Sequence, residues 1–253
     1  MKQLLILFSI ALSLAAQEIP KIKIAIDKKI TIEKIEDSKL NRYSFSIKDR
    51  KIPPFYIAKY ETSVGEYIEY LKGTKQEKKM RKFQLLEVDS EPITNIDFDE
   101  ASRVCHYFKG RLPSEFEWVV AASIKVAKSL CYEELPKGTF SRYATENFPL
   151  NKRVFECMLE DDDELEMELI GSELSDVEES VENINATYGM LGNVWEWVDT
   201  DRVYFKENYK VIKGGSFANF TMPKLFDSRV SNYVKRETKM QNIGFRCVWD
   251  PEK

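Results

Sequence analysis

Apolar and polar residues alternate along the first part of the chain. Lys21-Ile22-Lys23-Ile24-Ala25-Ile26 and Lys29-Ile30-Thr31-Ile32 repeat a period of two, and Tyr43-Ser44-Phe45-Ser46-Ile47 does the same with aromatics and serines. That period, carried by β-branched residues, predicts half-buried strands. Residues 17–50 therefore read as a β-rich N-terminal extension packing on the main domain. Pro53-Pro54 ends it, and Phe55-Tyr56-Ile57 reads as a further strand. The period then becomes helical. Val64, Tyr67, Ile68 and Leu71 share one face, Ser63 and Glu66 form a capping box, and Gly73 is the stop. Lys75 to Lys82 reads as a solvated basic insertion.

Asp97 opens a second helix, with acids at Asp99 and Glu100 and apolar positions at Ala101, Val104, Cys105 and Phe108. A third begins at Pro113-Ser114, capped by Ser114 with Glu117, and runs from Glu115 through Val119 to Ala127. Order weakens between Pro136 and Asn185. Within that stretch an acidic segment near 159–182 carries no lysine or arginine from Glu160 to Glu182. Its spacing fits no EF-hand loop, and like-charge blocks of this kind are solvated. Tyr188-Gly189-Met190-Leu191-Gly192-Asn193-Val194-Trp195-Glu196-Trp197 sets large rings among small, backbone-permissive residues, which predicts a packed turn and no regular strand. Tyr209 to Ile212, Ser228 to Val234 and Gly244 to Trp249 read as late strands. Few long helices and scattered short strands make this an α+β fold.

Composition narrows the chemistry. With 253 residues the chain can bury a sizeable core. A net charge of -4, without a basic run interleaved with aromatics, argues against nucleic acid as a partner. Lys2, the apolar run from Leu4 to Leu14 and Ala15-Ala16 read as a secretory signal peptide over 1–16. No later run is long enough to span a bilayer. The expectation is a soluble exported chain, periplasmic or secreted. In an oxidising compartment the four cysteines, Cys105, Cys131, Cys157 and Cys247, read by default as two disulfides. His106 is the only histidine, so any Ser-His-Asp triad or histidine metal centre would rest on it; it reads as an ordinary helix residue.

Five ordered motifs resemble one family. They are Phe55 to Glu61, Pro92 to Ala122 with Arg111-Leu112-Pro113-Ser114-Glu115-Phe116-Glu117-Trp118, Gly192 to Trp197, Gly214-Gly215-Ser216-Phe217, and Gly244-Phe245-Arg246-Cys247. Together these resemble the formylglycine-generating enzyme family, the sulfatase-modifying factor domain, over 51–250. The resemblance implies a C-type-lectin-like α+β fold of low regular secondary structure, stapled by a disulfide between Cys105 and Cys247. Cys131 with Cys157 is the pair that would remain.

Enzymatic members oxidise a substrate cysteine with copper and oxygen, and hold copper on two cysteines just after the Gly-Gly-Ser motif. Soft thiolates select Cu(I). Here those positions are Asn219 and Lys224. Members also bind calcium through a side chain three residues before Gly192, through backbone carbonyls at Gly192 and Val194, and through Glu196. The first of these positions is Gly189, which offers no side chain. The resemblance thus leaves three alternatives. One is a non-catalytic exported member that binds a protein, peptide or glycan of the cell envelope. Another is a family oxidoreductase or other enzyme with altered chemistry, its cleft lined by Ser216, Trp195, Arg229 and Arg246. The third is a structural subunit of an envelope assembly. Each of the four cleft candidates also has a plain role: a turn hydroxyl, a core ring, or a structural ion pair.

Overall fold

The computed structural model describes residues 18–26, 29–32, 34, 45–85, 88–122, 174, 176–179, 186–200, 208–219 and 228–252. The order of elements is β1 (Lys21–Ile24), β2 (Ile30–Ile32), β3 (Ile47–Arg50), β4 (Phe55–Ala58), α1 (Val64–Gly73), α2 (Glu77–Gln84), α3 (Phe98–Tyr107), α4 (Glu115–Ala121), β5 (Trp195–Val198), β6 (Tyr209–Lys213), β7 (Asn232–Lys235), β8 (Ile243–Gly244) and β9 (Val248–Trp249). The mixture of helices and short strands is the α+β class expected.

The helices begin where local chemistry says they should. Ser63 Oγ accepts from Glu66 N at 3.2 Å while Glu66 Oε2 accepts from Ser63 N at 2.9 Å. Ser114 and Glu117 repeat the arrangement at 3.2 and 2.8 Å. Asp97 Oδ1 accepts from Glu100 N at 2.8 Å. Each cap satisfies backbone donors that the first helical turn leaves open, an effect of about 1 kcal/mol.

Among the described residues the strands form three sheets, in the orders β1-β4-β9, β2-β3 and β7-β6-β5-β8. The four-stranded sheet is central. Trp195 and Trp197 on β5 and Ile212 on β6 join one core cluster, with Val64, Tyr67 and Leu71 of α1 and Ala101 and Val104 of α3. Val198 and Val211 join the other, with Phe116, Trp118 and Val119 of α4. Trp197 pairs with Ile212 and Val198 with Val211 across the strands. Alternation along the pleat thus sends successive rows into opposite cores. In the three-stranded sheet β4 is central, antiparallel to β1 through Ile22↔Ile57 and to β9 through Ile57↔Val248.

Several expectations are corrected. Trp195–Val198 is a strand, not part of a turn; all four residues are buried, Glu196 included, so it has no solvated face. Its preceding residues do turn, with positive φ at Gly189, Gly192 and Asn193. The basic stretch after Gly73 contains helix α2, held to the body by Met80 and Phe83 against the α1–α3 cluster. The Phe83 and Tyr67 rings meet edge to face with their centroids 5.2 Å apart. The strand expected over Tyr43–Ile47 starts at Ile47, because Phe45 is buried and its N–H bonds Arg229 O at 2.7 Å. Within the acidic segment, Val177 is buried and donates its N–H to Ser90 O at 2.9 Å, so this part is docked. Tyr43-Ser44, the helix continuation to Ala127, the leader over 1–16 and most of 159–182 lie outside the described residues.

Cys105 and Cys247 form a disulfide across 142 positions of sequence, both fully buried. It ties α3 to the chain entering β9. Cys131 and Cys157 lie outside the described residues. A loop of this size restricts the unfolded chain by about 4 to 5 kcal/mol in the chain-entropy account. Cys105→Ala/Cys247→Ala is therefore expected to lower the unfolding free energy in urea by about 4 kcal/mol. An unchanged midpoint and slope would show that the disulfide does not stabilise the fold.

Candidate functional site

The turn before β5, the strand itself and the Gly244–Cys247 segment converge on one buried charge cluster. Arg246 and Glu196 are both fully buried. Arg246 Nη2 donates to Glu196 Oε1 at 2.7 Å, and Nε to Oε1 at 3.0 Å and Oε2 at 2.8 Å. Trp118 Nε1 adds a bond to Glu196 Oε2 at 2.8 Å. The rest of the guanidinium is spent on backbone carbonyls, with Tyr188 O at 2.7 Å, Lys59 O at 3.3 Å and Ala58 O at 3.4 Å. A second buried carboxylate, Glu61, places Oε2 3.8 Å from Arg246 Nη2 and accepts at Oε1 from Asn193 Nδ2 at 3.1 Å. Gly189, at φ +64°, lies directly against it. A Cβ there would overlap both Glu61 oxygens, so the Glu61 carboxyl fills the space a side chain at 189 would need.

The opposite face of β5 carries a polar cradle. Trp195 Nε1 donates to Asn219 Oδ1 at 2.8 Å, and Ser216 Oγ donates to the same oxygen at 2.8 Å. Asn242 Nδ2 donates to Ser216 Oγ at 3.0 Å. The remaining Asn242 Oδ1 is buried without a hydrogen-bond donor among the described residues. Positive φ at Gly214 and Gly215 turns β6 into this cradle. An added Cβ at Gly214 would strike Met190 O.

The structure brings together Ser216, Trp195 and Asn219 and separates the two arginines from them. Of the two roles the sequence left open for Arg246, cleft residue and structural ion pair, the structure has it in a core ion pair, because Glu196 points to the opposite side of β5 from Trp195. Arg229 is half-buried, and its carbonyl accepts from Phe45 N near the β2–β3 side. Trp195, at 3% exposure, packs in the core and keeps only its indole N–H for the cradle. Lys224 lies outside the described residues. His106 sits on the exposed side of α3, its Nδ1 2.7 Å from Ser102 O. Sequence reasoning missed Glu61, Trp118 and Asn242 as participants. Glu61 was visible as the acid closing the Phe55–Glu61 motif; nothing local marks Asn242.

Burial raises the Glu61 carboxyl to about 7 against 4.5 in the open chain. Arg246 opposes that shift and the Glu196 charge adds to it. A raised carboxyl binds its proton in the folded state where the unfolded chain has lost it. Stability contributed by this group therefore falls as pH rises from about 4.5 to about 7. Glu66 is raised to about 7 mainly by burial and acts in the same window, whereas Asp97, Glu100 and Glu117 are lowered and act at more acid pH. Glu61→Gln should match wild type near pH 4 and gain on the order of 3 kcal/mol relative to it by pH 8. Urea melts across that range test this, and parallel pH profiles would contradict it.

Relatives include the uncharacterized protein YfmG of Bacillus subtilis, 25% identical over 230 residues. That match covers 78% of the present chain and 46% of YfmG, so the chain spans less than half of that relative. Among solved structures, PvdO from Pseudomonas aeruginosa superposes with a TM-score of 0.55 at 15% identity, covering 92% of both chains. Treponema denticola variable protein 1 gives 0.57 at 13% identity, covering 91% and 95%. CarF gives 0.55 at 14%, covering 92% and 99%. At these identities the likeness is one of fold. The sulfatase-modifying factor enzyme 1-like domain matches residues 31–251, and the chain belongs to that family.

Proposed function

We propose that the chain is an exported member of its family that binds a protein, peptide or glycan of the cell envelope and does not carry out copper-dependent cysteine oxidation. The observation that carries this is Asn219. At the first of the two positions where the family resemblance places a copper thiolate, the chain has a carboxamide whose oxygen already accepts from Trp195 and Ser216. An amide engaged in this way is not a Cu(I) donor. The two described cysteines are spent on the Cys105–Cys247 disulfide. Nor does the donor set fit calcium. Glu196 gives both oxygens to Arg246 and Trp118, a guanidinium sits beside Glu61, and Gly189 offers no ligand.

The cradle fits binding better than catalysis. Ser216 is fully buried, and its hydroxyl meets the amides of Asn219 and Asn242; neither can act as a base to activate it. The buried Asn242 Oδ1 would be satisfied by an O–H or N–H donor, which sugar hydroxyls and peptide amides supply. The alternative, a family oxidoreductase or other enzyme with altered chemistry, would use the same cradle.

Incubation with Cu(I), oxygen and a cysteine peptide separates the two. No formylglycine is expected by mass spectrometry from wild type, and turnover would overturn the binding reading. In competition with a chromophoric Cu(I) chelator, wild type should bind no copper, and Asn219→Cys/Lys224→Cys should gain it. Export is tested by N-terminal sequencing of the secreted protein, which should begin at Gln17; retention of the leader on a cytosolic product would contradict it.

A further inference from the structure

A cavity of about 360 Å³ lies between the end of β3, the exposed side of α3 and the start of α4. Small-molecule sites have volumes of about 300 to 1,000 Å³. Its apolar lining is Phe45, Leu112 and Phe116, all buried. Its polar lining includes two exposed side chains, Arg50 at the end of β3 and His106 on α3.

The fixed charges around this cavity are matched, with one exception. Arg111 is held by Glu117 and Asp250, each at 2.7 Å. Glu115 lies 3.7 Å from Lys213, and Asp199 lies 3.1 Å from Lys210. Arg50 is the exception. Its guanidinium sits 4.8 Å from the centre of the Phe116 ring and has no carboxylate or other acceptor among the described residues. The adjacent acid, Asp49, is engaged by Thr31 at 3.2 Å. A ring face orients a guanidinium and leaves its in-plane N–H donors open, the form that takes a carboxylate on two bonds. His106 offers the opposite kind of group. Its Nδ1 lies 2.7 Å from Ser102 O, and a carbonyl can only accept. Nδ1 therefore carries the proton and Nε2 keeps its lone pair. The hydroxyls of Ser46 and Ser102 belong to the same lining.

We infer that this cavity binds an acidic sugar unit, its carboxylate on Arg50 and a ring hydroxyl donating to His106 Nε2. The oriented, unspent guanidinium selects a carboxylate. The imidazole lone pair selects against a bare anion, which has no proton to give it. A sugar hydroxyl both donates and accepts, so it suits a lining that mixes an imidazole acceptor with serine hydroxyls. The cavity shares no lining residue with the Ser216 cradle, and the inference does not depend on that site.

Titration calorimetry of the whole chain with trigalacturonate at about 150 mM salt tests it, since screening there removes weak surface attraction. Binding is expected, weakened about tenfold or more by Arg50→Ala and about fivefold by His106→Ala. Arg50→Lys keeps the charge but loses the fork, and should weaken binding about threefold; it reads the same contact if Arg50→Ala fails to fold. Lys48→Ala, an exposed position on the same strand that does not line the cavity, should leave the affinity unchanged. Four results would each overturn the inference. They are no binding, the methyl ester of trigalacturonate bound equally well, triglutamate or inorganic phosphate bound as tightly, and Lys48→Ala as damaging as the Arg50 variants.

Discussion

The ion pair between Arg246 and Glu196 is the interaction on which the rest of the structure depends. Both partners are withdrawn from water, where an isolated charge would cost many kcal/mol, so each must be met by partners in place. The guanidinium reaches a carboxylate on β5, carbonyls at the end of β4 and the carbonyl of Tyr188 before the Gly189 turn. One side chain thus joins the C-terminal segment to three separate parts of the chain. The disulfide one residue later anchors the same segment to α3.

That cluster also divides the central sheet into two chemically different sides. Glu196 and Lys213 are paired across β5 and β6 and are both fully buried, on the side facing Trp118. Lys213 lies 3.7 Å from Glu115, which accepts from Ser231 at 2.5 Å. Trp195 and Trp197 face the other way, where only the Trp195 indole meets the Ser216 cradle. The residues suspected of sharing one cleft are therefore split by the pleat. Arg246 takes the structural ion-pair role left open for it, and the candidate site shrinks to Ser216, Asn219, Trp195 and Asn242.

Local signals in the sequence were reliable where their cause was local. Ser63, Asp97 and Ser114 start helices because each cap is completed within three residues. Alternation found β1 and β2, and the apolar run found β4. Failures came where partners lie far off. Strand β5 has no solvated face, and its one polar residue, Glu196, is buried by the distant Arg246 and Trp118. Helix α2 looked like a charged insertion because its apolar anchors, Met80 and Phe83, pack on residues of α1 and α3. Asn242 joined the cradle through a contact 26 positions from Ser216.

From the sequence alone came the α+β class, the family and the three capped helices. These rest on residue identity and short-range geometry. Tertiary structure alone decided that Glu61 takes the space against Gly189 and that Arg246 is a core ion pair. Each of these depends on which distant groups exclude water together, and burial of that kind is a property of the assembled chain.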